Sequence, residues 1–111
     1  LQVGLTEAEV SGALLCLDVN EKIVDEAIEK GCNLIISHHP LLFHPLKTIN
    51  GDDLTSRIII KAIKKGIAIY SAHTNLDVAY GGVNYKIAEK LGIGDIEWLV
   101  PKSSNVYCSL S

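Results

Sequence analysis

Three short, largely apolar runs constrain the fold most: Ala13-Leu14-Leu15-Cys16-Leu17, Leu34-Ile35-Ile36, and residues 67–72. Runs of this length match strands buried on both faces, the kind found in parallel sheets. Between them lie stretches of a different period. Ile23, Val24, Ala27 and Ile28 repeat at helical spacing, with Glu21, Lys22, Asp25, Glu26 and Glu29 on the other face. Leu54, Ile58, Ile59, Ala62 and Ile63 form a second such stripe, and Val83, Ile87, Ala88 and Leu91 a third. Asn20 and Asp52-Asp53 are placed to start the first two helices, and Gly31, Gly66 and Gly92 to stop all three. The order is βαβαβα, which predicts an α/β fold of three-layer type: a mostly parallel sheet with helices packed on it. Residues 96–101 read as extended and 105–110 as the start of a further strand. Domain 1–102 is therefore set apart from a linker or further element at 103–111.

Size and charge narrow the function classes. A chain of 111 residues builds a single core. With 10 Lys plus Arg against 13 Asp plus Glu, the net charge is −3, so there is no basic field for nucleic acid. No stretch reaches the about 18 apolar residues of a membrane span, and no basic-then-apolar N-terminus suggests a secretory signal. The 3 cysteines form no Cys-x-x-Cys pair, which argues against a disulfide framework or thiolate zinc site and favours a cytoplasmic location.

The chemistry gathers at one place. Parallel strands share a carboxyl edge, where open α/β sheets bind ligands. Here the strands run out into Asp18, into His38-His39 and into His73, followed by Asp77. Pro40 biases His39 towards extended backbone, so the two adjacent imidazoles are expected to splay, each suited to its own ion of a pair. His and carboxylate donors suit zinc, manganese, iron or nickel. Two such ions about 3.5–4 Å apart polarise a substrate oxygen and generate hydroxide near neutral pH.

The same residues admit plainer readings. His-His-Pro also suits a polar turn with capped backbone groups. Asp18 reads as a turn or helix-start residue, because Asp commonly satisfies local N–H groups. His73 is open between second-layer support, proton transfer and turn chemistry. His44, before Pro45, reads as a surface residue, and Gly81-Gly82 as a tight turn.

Taken together, three stretches resemble the Nif-three-like family, also known as type 2 homologues of GTP cyclohydrolase I. They are Leu1-Gln2-Val3-Gly4; Gly31-Cys32-Asn33-Leu34-Ile35-Ile36-Ser37-His38-His39-Pro40-Leu41-Leu42-Phe43; and Ser71-Ala72-His73-Thr74-Asn75-Leu76-Asp77 with Gly81-Gly82-Val83-Asn84. The resemblance runs to about Val106. It implies two divalent metal ions, with His38, His39 and Asp77 at ligand positions and His73 at a catalytic, substrate-orienting or proton-moving position. It also implies a homohexameric ring and a nucleotide such as GTP as hydrolysis substrate.

The family's pattern also has an upstream Trp-Asp-Asn-Val-Gly stretch and a downstream His-x-x-x-Glu that adds ligands; neither occurs here. The expectation is therefore the N-terminal portion of a metal-dependent hydrolase of GTP cyclohydrolase type, holding part of its ligand set. The alternatives are a non-catalytic metal-binding or scaffolding protein and a protein-interaction regulatory module.

Overall fold

A computed structural model of the chain describes residues 1–98. The elements run β1 (Ala13–Cys16), α1 (Glu21–Glu29), β2 (Leu34–Ser37), α2 (Leu54–Lys64), β3 (Ala68–Ser71), α3 (Thr74–Asp77) and α4 (Val83–Leu91). All three strands are parallel, in the order β1-β2-β3, as the apolar runs require. The chain divides into two compact units, Leu1–Leu76 and the residues from Asp77 on.

In the first unit the register aligns Leu14 with Ile35 and Ile69, and Cys16 with Ser37 and Ser71. Period-2 alternation sends these six side chains to one face of the sheet. Ile35 and Ile69 there join Val24 and Ala27 of α1 and Ile58, Ile59 and Ala62 of α2 in the core. On the other face, Leu15 is 74% exposed beside Ile36 and Tyr70. The N-terminal segment closes β3's free edge through an antiparallel bridge from Val3 to Ile69. Gly4 makes this close approach possible: its φ is +106°, and a Cβ there would sit 2.8 Å from that of Ala68.

Both helix starts are where the sequence places them. Asn20 accepts from Ile23 N–H at 3.0 Å, and Asp53 from Ser56 N–H at 2.8 Å. Arg57 of α2 reaches Glu21 of α1, and Lys61 reaches Asp25.

Three expectations change. Leu54 and Ile63, predicted on the buried stripe of α2, are exposed at its margins. Ser56 is buried instead, its hydroxyl satisfied by Asp53 Oδ2 at 2.6 Å. On α4 only Ala88 of the predicted face is buried, while Ile87 and Leu91 lie open. The segment after His73, for which the sequence pattern gives no helical stripe, forms the one-turn helix α3. Residues 96–98 form no strand; the remainder of that extended stretch, the linker and the strand expected at 105–110 lie outside the described residues. Among the described residues no helix is long and apolar enough to cross a membrane.

Candidate metal centre

β2 ends at Ser37, and the next two residues, His38 and His39, bend away from the ladder. Their N–H groups still bond across to the end of β1, His38 to Cys16 O at 3.2 Å and His39 to Leu17 O at 2.9 Å. β3 ends at Ser71, Ala72 N–H bonds Ser37 O at 2.9 Å, and His73 follows. Two strand ends thus deliver three histidines to one edge of the sheet.

Their rings converge. Centroids are 5.1 Å apart for His38 and His39, 5.3 Å for His38 and His73, and 5.8 Å for His39 and His73. One donor nitrogen from each lies within 4.8 Å of the other two. The splay expected for adjacent histidines is therefore absent. Alternation belongs to the pleated ladder, and both residues lie beyond it. His73, assigned by sequence to a role apart from the ligands, shares their cluster.

Hydrogen bonds orient two of the rings. His38 Nδ1 lies 3.0 Å from the carbonyl oxygen of Ala72, and His39 Nδ1 lies 2.8 Å from Asp18 Oδ1. A carbonyl or an ionised carboxylate only accepts, so in the neutral rings Nδ1 carries the proton and Nε2 the lone pair. Histidines that bind metals are held this way by an outer layer of oxygen partners. The donor set thus fits a divalent ion that favours imidazole, such as zinc, iron or nickel. The Cys16 thiol is not among the clustered donor atoms; burial, and then the negative charge of Asp18, push its pKa up.

Asp18 is the residue whose role sequence reasoning missed. Its turn position is as expected, but its carboxylate serves His39. The register held the clue, since Cys16 pairs with Ser37 and Asp18 and His39 each follow two residues later. Asp77 closes α3 and belongs to the second unit, where its carbonyl accepts from Asn84 Nδ2 at 2.8 Å. His44 is exposed beside Phe43, as expected of a surface residue.

The family model described as Duf34/NIF3 (NGG1p interacting factor 3) matches residues 1–110. The chain belongs to the Duf34/NIF3 family. Its similarity to other members is high over a limited span. A GTP cyclohydrolase 1 type 2 homolog of Halalkalibacterium halodurans is 48% identical over 102 residues, 92% of this chain and 27% of that protein. Its counterpart from Bacillus subtilis is 48% identical over 101 residues, 91% of this chain and 27% of that protein. The crystal structure of a Bacillus cereus protein related to NIF3 superposes with a TM-score of 0.83 at 53% identity, covering 92% of this chain and 28% of that one. This Duf34/NIF3 chain thus spans about a quarter of the length of the relatives it matches. The α/β fold and the family expected from the motifs both stand.

Proposed function

We propose that this chain carries part of a dinuclear metal site in a hydrolase that acts on a nucleotide. The observation that carries the reading is the convergence of His38, His39 and His73, with donor nitrogens within 4.8 Å of one another. Three imidazoles drawn together from two strand ends are hard to explain as turn chemistry, because separate turns need no common focus. His38, His39 and His73 supply nitrogen donors, and Asp77, by its place in the His-Thr-Asn-x-Asp motif, supplies a carboxylate. Asp18 holds the His39 ring. Divalent ions bound there would polarise a substrate oxygen and lower the pKa of water. The choice of a nucleotide rests on the names of the relatives, GTP cyclohydrolase 1 type 2 homologs, and on membership of their family.

The test is a Co²⁺ titration followed by GTP turnover on the full-length protein carrying this chain, as wild type and as His39→Ala and Asp77→Ala. Saturable binding and turnover in the wild type, both diminished in each variant, support the proposal. Equal binding and equal rates in all three overturn it. A full-length protein carrying this chain that binds Co²⁺ yet leaves GTP and phosphoesters intact would instead favour a non-catalytic metal-binding protein.

A further inference from the structure

Adjacent histidines on a strand face opposite ways, yet here both turn towards His73, so something bends the chain just after β2. The residue just before the bend is Ser37, which is 1% exposed and sits on the core side of the sheet. A buried hydroxyl there needs partners, and it has two. Its Oγ donates to the carbonyl of His39, two residues on, at 2.8 Å, and lies 2.9 Å from Ser71 Oγ on β3.

The first bond fixes the direction of the second. Ser37 has one hydroxyl hydrogen, and a carbonyl can only accept it. Ser71 is therefore the donor to Ser37, and the bonds run one way: from Ser71 hydroxyl to Ser37 hydroxyl to His39 carbonyl. A bond from a serine side chain to a backbone group two residues along makes a compact turn in place of extended chain. The backbone of Ser37 takes part as well, since its carbonyl accepts from Ala72 N–H at 2.9 Å while the Ala72 carbonyl accepts from His38 Nδ1 at 3.0 Å. Ser37 thus ties the segment bearing His38 and His39 to the segment leading into His73.

We infer that Ser37 is a positioning residue: its buried hydroxyl, relayed from Ser71, curls the chain so that neighbouring imidazoles converge instead of splaying. The inference rests on the metal-site reading above for its purpose, but its geometry can be tested without metal. With Ser37→Ala the His39 carbonyl loses its restraint, and the chain past β2 can relax towards the alternation of a strand. Ser71→Ala removes the hydrogen donated to Ser37 but leaves the bond to His39, so its effect should be smaller.

The experiment pairs two readouts on the wild-type chain, Ser37→Ala and Ser71→Ala. Long-range ¹H–¹⁵N spectra of the metal-free protein report the tautomers of His38 and His39, and a Co²⁺ titration with visible absorption reports affinity. We expect Ser37→Ala to stay folded by circular dichroism, to lose the uniform Nδ1–H tautomers, and to bind Co²⁺ about 10–100-fold more weakly, the range typical of outer-layer partners of metal ligands. Ser71→Ala should shift both readouts in the same direction by less. Unchanged imidazole resonances and wild-type affinity in a folded Ser37→Ala would overturn the inference. If Ser37→Ala does not fold, the same result in Ser71→Ala overturns it. A wild type that takes up no Co²⁺ would defeat the metal-site reading alone, and the tautomer spectra would still decide the role of Ser37.

Discussion

Oδ1 of Asp18 stands 2.8 Å from Nδ1 of His39, and the two residues lie equally far past the ends of adjacent parallel strands. Paired strands that leave the ladder in step hand a carboxylate to an imidazole with no further machinery. At 65% and 47% side-chain exposure the contact is screened by water, so its contribution to stability is small. Its value lies in aiming a ring. Asp18→Ala should leave unfolding free energy within about 1 kcal/mol of wild type yet weaken Co²⁺ binding by roughly tenfold or more. Urea denaturation beside a Co²⁺ titration separates the two effects; a large stability loss with unchanged affinity would contradict this assignment.

Metal loading should stabilise the fold by mass action, since the three rings meet only in the native sheet. At an ion concentration of 100 times Kd the gain is about 2.7 kcal/mol. Differential scanning calorimetry should show the melting temperature rising with Co²⁺ and returning on addition of a chelator. In His73→Ala the rise at the same Co²⁺ concentration should shrink or vanish. An equal rise in the variant would remove His73 from the donor set.

Asp53 makes the start of α2 acid-sensitive. The Ser56 hydroxyl, and then backbone N–H groups, hold its carboxyl below the ordinary 3.8. A lowered pKa in the folded state means that the unfolded chain binds the proton more readily. The stabilisation is therefore complete above about pH 4 and fades as pH falls through the folded value. Thermal melts of wild type and Asp53→Ala should differ steadily from pH 7 to 5 and converge below pH 4. A gap that persists unchanged at pH 3 would show that the charge is not what matters.

Two sheet residues should respond to truncation very differently. Ile35 is fully buried between α1, α2 and the neighbouring strands, whereas Leu15, on β1 and the opposite face, is 74% exposed. Ile35→Ala should destabilise by about 2–5 kcal/mol through lost contacts and a residual cavity, and Leu15→Ala by no more than about 0.5 kcal/mol. Comparable losses in guanidinium denaturation would mean that the bare face is covered in solution.

Much of this architecture can be read from local pattern. The apolar runs predict the strands, Asn20 and Asp53 begin their helices, and the parallel order follows from the alternation of elements. What escaped the reading is tertiary in origin. Ser56 looks like an ordinary polar residue of α2, but Asp53 satisfies its hydroxyl and so lets it be buried. The apolar face of α4 carries a proper helical period, yet a period says nothing of whether a partner is present. At the site, the three histidines and their shared edge were legible, but their convergence was not. Alternation is a rule of the ladder, and the turn at Ser37–His39 begins where the ladder stops. Asp18 was likewise visible as a residue and hidden as a partner, because its role depends on the stagger between two strands.

The Ala72 N–H donates to the Ser37 carbonyl at 2.9 Å, joining chain segments that the intervening α2 crossover holds far apart in sequence. A cation gripped by rings on both sides of that bond would rivet one end of the sheet shut, making ion release and fraying of this edge a single event. The Ala72 amide would then serve as an occupancy gauge, its deuterium uptake slowing as each rivet is set.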